Sequence, residues 1–182
     1  MNKFLVLVSF LFCFQSDTPE FSWHENRKLN WEDFKGEPDV NSNAAAVTAS
    51  GITFSYSVEK SSIRGVTGFK TEVFAHFYPE HSWCKKEIAD AHILKHEQFH
   101  FNITELSVRY FRQHISKLKA SEAIAKQLDA LHKQANIDLE TMQKRYDSET
   151  NYSINKEEQL RWVTFVNKEL KRLEKFKSHP SK

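Results

Sequence analysis

Two stretches of the chain alternate between apolar and polar positions, and the longer remainder repeats at helical intervals. From Ala45 the apolar positions Val47, Ala49, Ile52, Phe54 and Tyr56 are set against Thr53, Ser55 and Ser57. A period of two predicts a half-buried strand, with Gly51 as a bulge or kink. Lys60 to Arg64 reads as a turn. Val66 to Tyr78 alternates again, with Phe69, Val73, Ala75 and Phe77 interleaved with Lys70, Thr71, Glu72 and His76, until Pro79 stops it. The two runs predict an antiparallel ribbon. A third strand is expected around Ile63 or in the polar, aromatic lead-in from Asp17 to Asn30. Between lead-in and ribbon, Leu29, Trp31 and Phe34 anchor a strand edge or a single helical turn before Gly36 and Pro38. The strand from Thr71 to Phe77 is expected to offer a free edge to an extended substrate.

After Pro79 the period changes. Ser82 predicts an N-cap, and Trp83 to Leu118 holds neither glycine nor proline. Ile88, Ala91, His92, Lys95, Phe99, Ile103, Leu106, Tyr110 and Ile115 keep helical spacing. Ser121 is expected to cap a second helix through Leu128, Leu131, Ala135, Leu139 and Met142, fading near Tyr146, with Asp147 to Ser153 a polar connection. Asn155 and Glu158 form the capping-box pattern of a third helix through Trp162, Val166, Leu170 and Leu173. Lys171 to Lys182 reads as a solvated basic helix end. The predicted class is α+β: a small antiparallel sheet, then a long helical hairpin and a C-terminal helix.

The N-terminus adds a second segment. Met1-Asn2-Lys3 precedes an unbroken apolar run from Phe4 to Phe14, too short for a membrane span and suited to a secretory signal. Residues 1–16 are read as the signal peptide and 17–182 as one domain, secreted or periplasmic. Beyond the leader only Cys84 remains, so no internal disulfide is available. Composition then narrows the partners. The 26 basic and 24 acidic side chains are dispersed, which argues against a nucleic-acid footprint.

Into the first helix falls Leu94-Lys95-His96-Glu97-Gln98-Phe99-His100, an H-E-x-x-H pattern. On a helix His96 and His100 share one face one turn apart, so both imidazoles reach one Zn²⁺. Glu97 points roughly 100° away from His96, where its carboxylate can serve a metal-activated water without ligating. A catalytic zinc needs a third protein ligand. Glu105 lies about 180° round from His96 and is expected to pair with Arg109. His92 is on the correct face. A hairpin turning near Lys119 to Ser121 sets Glu140 opposite His100, with Asp147 and Glu149 beyond His96. Geometry alone favours Glu140 weakly.

Longer blocks surround the motif: Leu29-Asn30-Trp31-Glu32-Asp33-Phe34-Lys35-Gly36, Ser82-Trp83, the run from Leu94 to Glu105, Tyr146-Asp147-Ser148-Glu149-Thr150-Asn151, and Gln159-x-x-Trp162. Together they resemble the bacterial secreted zinc-dependent protease family, a group of zincin-like domains. The resemblance implies His96 and His100 as zinc ligands and Glu97 as catalytic base acting on a peptide or protein substrate. It moves the expected third ligand to Asp147, ahead of Glu149 and Glu140. The family often has histidine where Tyr152 stands here, which makes Tyr152 a phenolic ligand or hydrogen-bond donor in the same scheme. Tyr146 and Tyr152 are the expected oxyanion donors. The rival reading is a degenerate zincin that binds without efficient turnover.

Overall fold

The computed structural model describes residues 20–178. The expected leader, residues 1–16, lies outside the described residues. Five strands and three α-helices follow in order: β1 (Phe21–Ser22), β2 (Ala46–Val47), β3 (Ser50–Ser61), β4 (Gly65–Phe77), β5 (Trp83–Cys84), α1 (Ala91–Ile115), α2 (Ile124–Thr150) and α3 (Lys156–Arg172). The architecture is α+β, a small antiparallel sheet plus three helices.

The alternating runs pair as an antiparallel hairpin, Ile52 opposite Ala75 and Phe54 opposite Val73. Gly65, at φ 68, turns the chain, a conformation that costs glycine least. Ile52, Val73, Ala75 and Phe77 are buried on one face. On that face Phe54 meets Phe111 of α1 edge-on at 4.9 Å and His132 of α2 at 5.0 Å. The expected bulge moves: Gly51 pairs in register with His76, and the shift falls between Glu59 and Lys60. The third strand comes from the lead-in, because β1 pairs with the end of β4, while Ile63 stays in the exposed turn.

That third strand corrects the expected free edge. β4 is central, in the order β1-β4-β3; Phe77 and His76 are paired on both sides, and Trp23 N donates to Ala75 O at 2.8 Å. The run from Ala45 is also not one strand. It splits at Thr48–Ala49, and β2 leaves the hairpin to pair with β5. Pro79–His81 forms a 3-10 turn, and Ser82 then leads into a strand rather than a helix. The Ser82 Oγ accepts from Ala49 N and donates to Tyr78 O, both at 2.9 Å, so it ties the two sheets together instead of capping a helix. Asp90 caps α1, accepting from the backbone of His92 and Ile93 at 2.8 Å each.

Leu29 to Phe34 takes the helical option, a single 3-10 turn at Trp31–Asp33 closed by a reciprocal Asn30/Asp33 cap. The second helix starts at Ile124, to whose N–H Ser121 contributes its carbonyl. It continues past Tyr146 to Thr150, because Tyr146 and Thr150 are buried against α1 and α3 rather than released into solvent. Asn155 caps α3 through Glu158 N; its own N–H goes to Thr150 O, so the return bond of a capping box is not made and Glu158 pairs with Arg161.

α1 runs through the centre. Every side chain from His100 to Arg109 is buried, polar ones included. A helix buried all round must satisfy its polar groups internally. Asn102 accepts from Trp23 Nε1 and Gln98 Nε2, each at 3.0 Å, and Glu105 pairs with Arg109 at 2.8 Å, as the i,i+4 spacing predicts. No helix among the described residues is long and apolar enough to cross a membrane.

Candidate metal centre

Three helices build the site. The four-residue spacing on α1 places the His96 and His100 rings edge-on with centroids 4.8 Å apart. α2 packs antiparallel alongside and delivers Asp147 on its last turn. That turn is held by Tyr146, whose ring lies fully buried, stacks on His96 at 4.5 Å and meets Trp162 of α3 at 5.4 Å. Asn151, Tyr152 and Ser153 then reverse the chain at φ of 47°, 52° and 76°. Left-handed backbone costs a non-glycine residue about 1–2 kcal/mol, so the turn needs external support. Tyr152 N donates to Asp147 O at 2.9 Å, and His92 Nε2 donates to Ser153 O at 2.7 Å.

His96 Nε2, His100 Nε2 and Asp147 Oδ1 converge. The separations are 3.2 Å between the nitrogens, 3.1 Å from His96 to Asp147 and 2.8 Å from His100 to Asp147. They are the only group of three or more such ligand atoms mutually within 4.8 Å among the described residues. Donors about 2.0–2.1 Å from a tetrahedral zinc stand roughly 3.3 Å apart, so this triangle fits such an ion with small adjustments. Two imidazoles and one carboxylate are also a donor set that zinc accepts.

The electrostatics are those of one carboxylate shared between two imidazoles. Burial alone would raise the Asp147 carboxyl, but hydrogen bonds from His100 and His96 outweigh it and hold the group well below the usual carboxylate range. Burial would likewise depress His100, yet bonding to Asp147 and the nearby Glu97 charge hold it above the ordinary histidine value. The Tyr146 phenol is pushed far up by burial.

Glu97 is 4 % exposed, and its Oε2 has no hydrogen-bond partner among the described residues. An unsatisfied buried carboxylate oxygen is costly unless something outside the fold meets it. Glu97, His96, His100 and Asp147 all line one cavity of about 1020 Å³. Its far wall is the segment Ser42–Ser50, which includes β2, and its near rim is Tyr152–Ile154. Thr48 fixes that wall to α1 by donating to Glu97 O at 3.2 Å.

The other candidates for the third ligand are engaged elsewhere, and Glu105 makes the structural pair expected of it. Glu140 is exposed and paired with Lys144; Glu149 binds Arg145 at 3.0 Å and Trp162 Nε1 at 2.8 Å; Glu105 is shared by Arg109 and Ser178. His92 spends its Nε2 on Ser153, and Tyr152, 67 % exposed, lines the rim without joining the ligand cluster. The Tyr146 hydroxyl accepts from Gln159 and points at His96 O, which removes it as an oxyanion donor. Two further side chains contact the far side of the histidines: Gln143, not singled out from sequence, and Gln159, noted there only as part of the Gln159-x-x-Trp162 block with no role assigned. Gln143 sits one turn before Asp147 on the same face of α2, so helical spacing alone could have found it.

No curated protein and no solved structure matches the chain. A family profile described as "Bacterial protein of unknown function (DUF922)" matches residues 38–153, a span that includes Glu97, both histidines and Asp147. Since the match covers more than half of the sequence, the chain belongs to this bacterial family of unknown function.

Proposed function

We propose that this protein is a zinc-dependent hydrolase of zincin-like construction, acting on peptide bonds outside the cytoplasm. The observation that carries the reading is one open cavity onto which three ligand atoms converge beside a buried carboxylate oxygen without a partner. His96, His100 and Asp147 would hold the ion. When bound, zinc lowers the pKa of a coordinated water and polarises the substrate carbonyl. Glu97 takes the proton of the attacking water through Oε2 and returns it to the leaving amine. Its burial and freedom from ion pairing leave that oxygen available for both transfers.

The cavity also supports an extended substrate. Among the described residues β2 is paired on one side only, with β5, and the segment that contains it forms the wall facing the histidines. A peptide can add there as a further strand, its scissile carbonyl directed toward His96 and His100. This edge replaces that of the Thr71–Phe77 strand, whose end at His76 and Phe77 is paired with β1. Tyr152, which lines the cavity as Tyr78 does, is the phenol assigned here to donate to a developing oxyanion. The leader-like Met1–Phe14 supports export.

The test is metal analysis followed by turnover on a mixed peptide library. Purified protein is expected to hold about one equivalent of zinc, and Glu97→Gln to retain it while losing about 10²–10⁴-fold of cleavage. Undiminished cleavage in Glu97→Gln, or zinc well below one equivalent after supplementation, sinks the proposal.

A further inference from the structure

We infer that the outer edge of β3 is a self-association surface, on which a second copy of this chain adds antiparallel through Ile52–Val58 about a two-fold axis at Ser55. The inference is independent of the zinc reading.

β3 ends the order β1-β4-β3 and, among the described residues, has no strand on its far side. Its ladder with β4 fixes which groups that edge presents. Tyr78 N donates to Ala49 O at 2.9 Å, and the pairs from Ser50↔Phe77 to Glu59↔Gly68 continue in the same register. Hydrogen-bonded and non-hydrogen-bonded pairs alternate in an antiparallel ladder, so Gly51, Thr53, Ser55 and Ser57 bond to β4. Ile52, Phe54, Tyr56 and Val58 turn their N–H and C=O groups outward. Ala75, opposite Ile52, agrees with this phase, because its carbonyl is directed away from β3 to Trp23 N. Ser55, Tyr56 and Ser57, the middle of the edge, are exposed.

Long free edges are ordinarily guarded by charge, proline or a bulge. The free part of the β4 edge follows that rule: it carries Lys70 and Glu72, and Arg112 occupies the Val73 carbonyl. β3 does not. Ser50 to Val58 holds no charged residue and no proline, and the bulge comes only at Glu59–Lys60. The segment is instead a chemical palindrome. Outward from Ser55, each direction gives an aromatic (Phe54, Tyr56), a hydroxyl (Thr53, Ser57) and a β-branched aliphatic (Ile52, Val58). An antiparallel second copy centred on Ser55 therefore sets Phe54 opposite Tyr56, Thr53 opposite Ser57 and Ile52 opposite Val58, the like-with-like pairs that stabilise neighbouring strands. The Phe54 and Tyr56 rings already lie 5.5 Å apart, so the pairing brings four aromatic rings together. Every outward N–H and C=O from Ile52 to Val58 meets one of the other copy, and Lys70 and Glu72 stay one strand back. Other registers fail. A slip of one residue opposes outward groups to residues already bonded to β4 and reverses the faces. A slip of two brings Lys60 opposite Ile52 in one direction and Ser50 opposite Val58 in the other. The contact is isologous, consumes the long edge of both copies and so stops at two.

The experiment is sedimentation velocity of the purified protein in chelator across a concentration series, where a mass of two chains is expected at the high end. The Ser55 Oγ donates to Glu72 at 3.3 Å, so Ser55→Lys finds a carboxylate within the single chain yet sets two ammonium groups opposite one another across the two-fold. Its dissociation constant is expected to rise at least about fivefold, with the circular dichroism of the wild type. Oxidation reads the register. Opposite residues of a non-hydrogen-bonded pair lie about 4.5 Å apart at Cα, within disulfide reach, so Ser55→Cys is expected to give a covalent dimer. Ser57→Cys is not, because its counterpart lies four residues along the strand, about 13 Å away. A single-chain mass at every concentration overturns the inference. So does dimerisation undiminished in Ser55→Lys, cross-linking of Ser57→Cys as fast as Ser55→Cys, or assembly that grows beyond two. A monomeric wild type that takes up a synthetic Ile52–Val58 peptide would mark the edge as a site for extended peptides and equally exclude the second copy.

Discussion

α1 buries two polar constellations, one in each half, built from the same i,i+4 spacing. In the C-terminal half Glu105 and Arg109 face each other at 2.8 Å, and each remaining valence is met from another part of the chain. Ser178 donates to Glu105 through both N and Oγ, at 3.0 and 2.6 Å, while Arg109 binds the Leu170 carbonyl and Glu174. In the N-terminal half His96 and His100 share a face and converge on one carboxylate oxygen of Asp147, at 3.1 and 2.8 Å, while Glu97 keeps an oxygen unmet among the described residues. Charge opposite charge closes the first constellation upon itself. The second is left open by the Glu97 oxygen, and under the zinc proposal a cation and its water would complete it. His96, Glu97 and His100 are buried as Glu105 and Arg109 are, so burial does not separate a self-satisfied polar cluster from an open one. Complementarity within the cluster does.

Breaking the closed constellation should give the largest loss of stability. Glu105→Ala strands a buried guanidinium and frees Ser178, and removing one partner of a buried pair costs about 3–5 kcal/mol. Chemical denaturation is expected to show that loss with zinc affinity unchanged in whatever fraction stays folded. A loss below about 1 kcal/mol would mean that the pair is no more than a surface-like contact. The open constellation should respond to metal instead. At free zinc one hundred times Kd the wild-type chain gains about 2.7 kcal/mol, a chelator reverses the gain, and Asp147→Ala abolishes it. Equal stabilisation of wild type and Asp147→Ala by zinc would remove Asp147 from the ligand set and erase the contrast between the two ends of α1.

Much of this was legible from residue order, for identifiable reasons. Hydrophobic period fixed the hairpin and the helical half because each depends on one buried face repeated along its own element. The H-E-x-x-H spacing brought two histidines together with a carboxylate beside them for the same reason, since a single helix sets their geometry. Features that require two elements were harder. Ser82 has the composition of a cap and acts instead as a bridge between Ala49 and Tyr78. β2 departs from an alternating run that gives no sign of changing sheets. Asp147 followed from a family resemblance rather than from the hairpin, and the contacts of Gln143 and Gln159 with the histidines became apparent only once α2 and α3 were docked against α1.

The smallest effect is expected at Glu140, the residue that hairpin geometry had favoured as third ligand. Glu140 and Asp147 lie seven residues apart, within about 20° of one helical face, so rotation of α2 does not distinguish them; longitudinal register does. A turn centred on Ala120 sets Glu140 opposite His100. The observed pairs, His100 with Gln143 and His96 with Asp147, centre the hairpin between Ser121 and Glu122 instead. That displacement of one and a half residues advances the pairing by three, nearly one helical turn, and carries Glu140 past the site into solvent beside Lys144. Its ion pair is exposed on both partners and contributes nothing that the site requires. Glu140→Ala is therefore expected to leave both zinc stoichiometry and the zinc-dependent rise in melting temperature unchanged. Loss of zinc in that variant, with Asp147→Ala still binding, would place α2 one turn further along α1 in the metal-loaded protein and reverse the assignment of the third corner.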